Sequence, residues 1–236
     1  MNEETKTIKT NVPHLNVDEM QQAGLGFGHR VSRLHPKMKH YVTGIKNNVH
    51  MIDLEKSAKE FDRALKFIAT LASQNKVILF VGTKVQMREL TKVAAQSARM
   101  PYVAERWLGG TFTNFETISK RVAHFLDLES KKAQGFFEKY TKKERLTIDK
   151  EIESLKNKFE GIRDMSKLPD AVLILDLKKD HTVFREAKRK GVTVIGIVDS
   201  NIDPTLVDYP IFANDDAISS VSYILDKIKE TITNVK

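Results

Sequence analysis

The chain has 236 residues, of which 41% are hydrophobic and 30% charged, with a formal net charge of +8 and no cysteine. That length buries a substantial core and fits one domain with an insertion or two small domains. A disulfide scaffold, a thiolate metal site and a cysteine nucleophile are excluded, and no apolar run approaches the length of a bilayer span. The polar first twelve residues contain no secretory apolar stretch, so the expected compartment is cytoplasmic, without membrane contact. The positive balance favours a polyanionic partner, because neutralising phosphates releases counterions.

Residues 1–15 lack periodicity and are expected to form a flexible tail. Asn16 is placed to cap a short helix over residues 17–23, which Gly24 ends. Gly24-Leu-Gly-Phe-Gly28 leads into residues 29–50, which hold five cations (Arg30, Arg33, Lys37, Lys39, Lys46), four histidines and no acid. A solvated surface mixes signs, so this stretch is the better electrostatic clue to a polyanion. Pro36 and Gly44 make it read as mostly irregular, with a short strand at 49–52. Leu54, Ala58, Phe61, Leu65, Ile68 and Leu71 recur at helical spacing over residues 53–73. Residues 77–81 are continuously apolar, as in a strand buried on both faces of a parallel sheet. Gly82 then permits a tight turn that leaves Lys84 exposed. Thr83 and Gln86, at capping-box spacing, open a helix to about Ala98, and residues 100–104 supply the next strand.

Residues 106–114 read Arg-Trp-Leu-Gly-Gly-Thr-Phe-Thr-Asn and contain the single tryptophan. A guanidinium and an indole beside a flexible backbone suit a grip on phosphates and bases. The competing reading is that Trp107 plugs the core while Arg106 pairs with Glu105, and the residues alone leave both open. Ile118, Val122 and Phe125 then form a helical stripe. Ile148, Ile152, Leu155, Phe159 and Ile162 alternate by four and three, the seam of a coiled coil. Residues 171–175 and 192–198 are further apolar strands, separated by a helix that Asp180 caps and Gly191 closes. A last strand at 209–212 precedes a helix capped by Asn214-Asp215-Asp216. Apolar strands alternating with helices predict a doubly wound, mostly parallel α/β sheet, flavodoxin- or Rossmann-like. It is formed by residues 16–114 and 164–236, with residues 115–163 inserted as an antiparallel coiled-coil helical hairpin.

Motif spacing excludes several chemistries. Gly24–Gly28 lacks the G-x-G-x-x-G pattern, and Gly82-Thr83-Lys84 lacks the spacing of a P-loop. His29, His35, His40 and His50 match no zinc pattern and are read as hydrogen-bonding to backbone or phosphate. Asp199, Asp203, Asp215 and Asp216 fall at the carboxyl ends of strands, where they could hold a hard cation such as Mg²⁺ or simply cap turns and a helix. No nucleophile elbow or acid–base pair demands catalysis, so the chain reads as a non-enzyme. The rivals are a nucleotide or sugar-phosphate enzyme on the same sheet and an interaction module built around the hairpin.

An ordered series of segments is more specific. It comprises Gly26-Phe-Gly-His29, His35-Pro-Lys-Met-Lys39, Asn48-Val-His-Met-Ile-Asp-Leu-Glu-Lys56 and Leu79-Phe-Val-Gly-Thr-Lys84. Arg106-Trp-Leu-Gly-Gly110, Thr113-Asn114, Leu168-Pro-Asp-Ala171, Ile197-Val-Asp-Ser-Asn201 with Asp203-Pro204, and Asn214-Asp-Asp-Ala-Ile218 follow. From Val17 to Thr233 the chain resembles the family of the second protein of the small ribosomal subunit, in its bacterial or organellar form. The resemblance implies a non-catalytic α/β domain with a coiled-coil hairpin, bound to small-subunit rRNA on the solvent side near the head–body junction. It also implies neighbouring ribosomal proteins as partners, including the large mRNA-binding ribosomal protein one. No cofactor is required, although some members carry a divalent ion, here Mg or Zn. By matching positions, the RNA contacts implied are Arg30, Arg33, His35, Lys37, Lys39, Arg106 and Trp107, with Lys120 and Arg121 at the root of the hairpin.

Overall fold

The computed structural model describes residues 12–235. Its first helix, α1 (Val17–Gln22), is capped as the sequence predicts: Asn16 Oδ1 accepts from Asp18 N at 2.9 Å, and Gly24 turns the chain at φ +84°. Most of the expected tail, residues 1–11, lies outside the described residues. Of its remaining residues, Val12 and Leu15 pack against the core. The basic segment is more ordered than its composition suggests. Strands β1 (Phe27–Arg30), β2 (Val42–Lys46) and β3 (Val49–Ile52) form an antiparallel sheet in the order β1-β3-β2. Asn47 and Asn48, at φ 51° and 62°, make the two-residue left-handed turn that matches the twist of a β2–β3 hairpin.

Asp53 caps α2 (Leu54–Ser73) by accepting from Glu55 N and Lys56 N. Strand β4 (Ile78–Val81), helix α3 (Arg88–Ala98) and strand β5 (Tyr102–Val103) follow. Next come α4 (Phe115–Ala133), α5 (Lys142–Phe159), β6 (Ala171–Ile174) and α6 (His181–Lys190). Strands β7 (Thr193–Val198) and β8 (Tyr209–Phe212) and helix α7 (Ile218–Val235) complete the chain. The sheet runs β5-β4-β6-β7-β8, parallel throughout. Counted among these five strands the order is 2-1-3-4-5, the doubly wound arrangement of flavodoxin-like folds.

Alternation along each strand explains why the apolar runs are unbroken. Ile78 and Phe80 join Phe61, Leu65, Ala95, Ile224 and Ile228 in one core layer, against α2, α3 and α7. Leu79 and Val81 face the other layer with Trp107, Phe112, Val183 and Ala187. Ile118, Val122 and Phe125 of α4 belong to that second layer, as do Ile152, Leu155 and Phe159 of α5 and Ile162 beyond it. The four-three stripe is thus the buried face of α5, and it is continuous with the core beneath the sheet. Lys132–Asp149 at 2.7 Å and His124–Glu151 at 3.5 Å link the two helices further out. Among the described residues no helix is long and apolar enough to cross a membrane.

Two expected caps are absent for one reason. Thr83 does not open a helix; a 3-10 turn, Val85–Met87, intervenes before α3. Its hydroxyl donates to Asp180 Oδ1 at 2.8 Å, so the Asp180 carboxylate is engaged there and does not cap α6. Gly82 is required by close approach, since a Cβ there would lie 2.3 Å from Thr91 Oγ1 and 2.7 Å from Leu175 Cδ1. Gly82→Ala should therefore destabilise the fold by about 1–3 kcal/mol through overpacking, whereas Gly109→Ala, with open space, should shift it by less than about 0.5 kcal/mol. Urea denaturation of both variants checks the contrast, and equal midpoints would refute it.

Candidate nucleic-acid interface and the carboxyl-end cluster

The Arg106–Asn114 loop is organised by a carboxylate that sequence reading did not single out. Glu186, on the inner face of α6, is 5% exposed. Its Oε1 accepts from Gly110 N at 2.8 Å and from the Trp107 indole at 3.3 Å. Its Oε2 accepts from Phe112 N at 2.9 Å, Thr113 N at 3.2 Å and the Thr113 hydroxyl at 3.3 Å. Burial alone would raise the pKa of this carboxyl. The backbone donors of Gly110, Phe112 and Thr113, with the indole, outweigh burial and hold it below its ordinary value of 4.5. Trp107 is 9% exposed and meets Phe112 edge-on at 4.9 Å. Its ring is a core plug with a satisfied N–H, not a free stacking surface. For Arg106 only the pairing with Glu105 is overturned: Glu105 pairs with Arg88, and Arg106 stays exposed.

The other predicted contacts separate by what already holds them. Arg30, Arg33 and Lys39 are exposed on the small antiparallel sheet and its adjoining turns. Among the described residues no carboxylate lies within 4 Å of any of these three, nor of Arg106 or Arg121. Lys37 is tied down: its Nζ reaches Asp203 Oδ2 at 2.8 Å and the Thr205 hydroxyl at 2.9 Å. Lys120 pairs with Glu116 within α4. His35 is half-buried; its N–H donates to Ser200 O, and its Nδ1 has no partner.

The small sheet docks over the carboxyl ends of the parallel strands. Gly28 allows this approach, since a Cβ there would lie 2.7 Å from Ser200 Oγ. His29 N donates to Ser200 Oγ, and His29 Nδ1 lies 3.1 Å from Asp199 Oδ2. Asp199 is fully buried, and a ligand atom from each of His29, Asp199 and Asp215 lies within 4.8 Å of the others. Burial, then Asp199 and Asp176, push the Asp215 carboxyl up to about 7, and the hydrogen bond His29 donates to Asp199 raises His29. Of the four aspartates predicted from sequence, two gather here. Asp216 sits at the rim, with its side chain 60% exposed and bonded to Lys84. Asp203 is apart, where the Lys37 ammonium and the Thr205 hydroxyl hold its carboxyl well below the usual range. Of the expected Asn214-Asp215-Asp216 cap, Asn214 does the work, its Oδ1 accepting from Asp216 N and Ala217 N.

Lys84, expected to be exposed, is mostly buried, bonded to Asp215 O at 3.1 Å and 3.4 Å from Asp176 Oδ2. Doubly wound folds hold ligands in the crevice at this switch point between the first and third strands. Here the chain's own ion pairs fill it.

A sequence model of the family described as Ribosomal protein S2 matches residues 20–234. The chain belongs to the ribosomal protein S2 family. Small ribosomal subunit protein uS2 of Chlorobium chlorochromatii is 42% identical over 223 residues, covering 94% of this chain and 89% of that relative. The protein of the same name from Coprothermobacter proteolyticus is 39% identical over 218 residues, covering 92% and 81%. That of Chlorobium luteolum is 42% identical over 223 residues, covering 94% and 88%. For an S2-family chain the missed residues are Glu186, His29 as a partner of Asp199, and Lys84. Only Glu186 left a local trace, as the one acid in a run of cations ending at Gly191.

The depressed Glu186 pKa sets a direction. Its contribution to stability is complete above 4.5 and is lost as pH falls through the lower folded value. Glu186→Gln removes the charge and leaves an amide group facing donors, so it should cost about 3 kcal/mol at neutral pH. Its stability should also fall less steeply than wild type below the ordinary glutamate pKa. Denaturant midpoints across pH test both, and parallel curves for the two proteins would refute the assignment.

Proposed function

We propose that this S2-family chain is a structural component of the small ribosomal subunit, acting through binding to small-subunit rRNA and neighbouring ribosomal proteins. The observation that carries this is the family match over residues 20–234, reinforced by exposed cations with no carboxylate within 4 Å among the described residues. The family is one of ribosomal proteins, so the chain works by binding, not by catalysis. The filled crevice at the switch point argues in the same direction against a nucleotide or sugar-phosphate enzyme.

Arg30, Arg33, Lys39, Arg106 and Arg121 are the phosphate contacts on this reading. Arginine suits that role because its planar fork meets phosphate oxygens in pairs. Lys37, His35 and Lys120 contribute after exchanging or sharing an internal partner, and Trp107 acts by holding Arg106 in place. Residues 115–163 serve as an inserted hairpin whose outer part is free for partners. Placement on the solvent side near the head–body junction, and recruitment of the large mRNA-binding ribosomal protein one, complete the proposal.

A divalent cation fits the carboxyl-end cluster. One imidazole nitrogen and two carboxylates make a three-ligand set suited to Zn²⁺, whereas Mg²⁺ prefers oxygen alone. The two buried carboxylates, of which burial and then the neighbouring Asp199 hold Asp215 up at about 7, would both be neutralised by it. Purified protein incubated with zinc and desalted should retain one equivalent, and His29→Ala should retain much less. Equal retention would remove His29 from the site.

For the function itself, tagged protein should sediment with small subunits through a gradient at moderate salt and carry rRNA. Migration with free protein would contradict the proposal. Arg106→Ala should reduce incorporation while leaving the melting temperature unchanged. An unfolded variant would make Arg106 structural instead.

A further inference from the structure

Residues 177–191 contain two acids, Asp180 and Glu186, and both are buried, at 4% and 5% exposure. Asp180 accepts from Thr83, and Glu186 accepts from the Arg106–Asn114 loop. What remains at the surface is entirely basic: Lys178, Lys179, His181, Arg185, Lys188, Arg189 and Lys190 are all exposed. His181, Arg185, Lys188 and Arg189 are spaced by four, three and one, so they share one face of α6.

Three other helices, α2, α4 and α7, each answer at least one cation with an acid one turn away. Lys66 pairs with Asp62 in α2, Lys131 with Asp127 in α4, and Lys229 with Asp226 in α7. On α6 no such pair exists. Among the described residues no carboxylate lies within 4 Å of Lys178, Arg185, Lys188, Arg189 or Lys190. The helix dipole accounts for Lys188–Lys190 in the last turn. It opposes Lys178, Lys179 and His181 at the start of the helix, where an acid is favoured. The one acid there, Asp180, has its carboxylate turned inward to Thr83.

We propose that the outer face of α6 is a second phosphate-contacting surface for rRNA, distinct from the small antiparallel sheet. The inference rests on the ribosomal reading of the chain. RNA is the partner argued for because α6 is bound through Glu186 to the loop that carries Arg106. In that loop Gly109 is exposed, with open space where its Cβ would stand. An acidic protein segment would meet the same charges and is separated from RNA by the test.

The test compares wild type with Arg185→Gln/Lys188→Gln/Arg189→Gln, and with a control of Lys66→Gln/Lys131→Gln/Lys229→Gln, which removes paired cations. Affinity for protein-free small-subunit rRNA is measured against salt concentration. The α6 variant should bind at least about tenfold more weakly near physiological salt. Its slope of log K against log salt should be smaller by about two to three, while the control stays near wild type. Melting temperatures report that both fold. Wild-type affinity and slope in the α6 variant would overturn the proposal. So would normal rRNA binding combined with failure to enter the subunit, which would make the partner a protein. If wild type itself shows no preference for rRNA, the ribosomal reading fails first and this surface with it.

Discussion

The Glu186 carboxylate is the point on which the second half of the fold turns. A charge taken out of water costs several kcal/mol unless nearly every lone pair is satisfied. Here three backbone N–H groups, an indole and a hydroxyl satisfy it, all from one short loop. The set works only when Gly110, Phe112 and Thr113 converge on the same side chain, so the carboxylate specifies the loop conformation. That conformation puts Phe112 in the core and leaves Asn114 where α4 begins, its N–H bonded to Gly110 O at 2.7 Å. It also draws the acid of α6 inward. The basic outer face of that helix and the fixed start of α4 share one cause.

The cluster at the carboxyl ends of the parallel strands follows a related logic with more groups. Buried carboxylates of Asp176, Asp199 and Asp215 face Lys84 and His29, which come from separate elements. The small antiparallel sheet is held here by His29, by Ser200 and, further out, by Lys37 on Asp203. A doubly wound fold usually keeps this end open for a ligand. In this chain it becomes a joint between two sheets, so the cations outside the joint, Arg30, Arg33 and Lys39, are carried on a rigid mount. A binding protein that works by shape and charge needs such a mount more than it needs a crevice.

Strands β4, β6 and β7 were legible because burial on both faces demands an unbroken apolar run, and α2 because its stripe has helical period. Of the small sheet only β3 was read from sequence; β1 and β2 were hidden by their composition. A basic, glycine- and proline-bearing segment looks irregular, and Asn47-Asn48 was the only local sign of the hairpin. The caps expected at Thr83 and Asp180 failed together, since these side chains, 97 residues apart, bond to each other. His29 and Asp199 meet for the same reason, through topology that no spacing encodes. The tryptophan motif was half legible. Its residue types permitted both a clamp and a plug, and only the position of Glu186 assigns the indole to the core and leaves Arg106 outside.

The central claim is that one ionised carboxylate holds four points of a loop. Nitrogen–proton NMR across an acid titration reads this directly through the amides of Gly110, Phe112 and Thr113 and the Trp107 indole. The account predicts that all four signals move together, with one shared midpoint below 4.5, and that Glu186→Gln abolishes the titration at each. Four independent midpoints, or a shared one at or above the ordinary glutamate value, would contradict it.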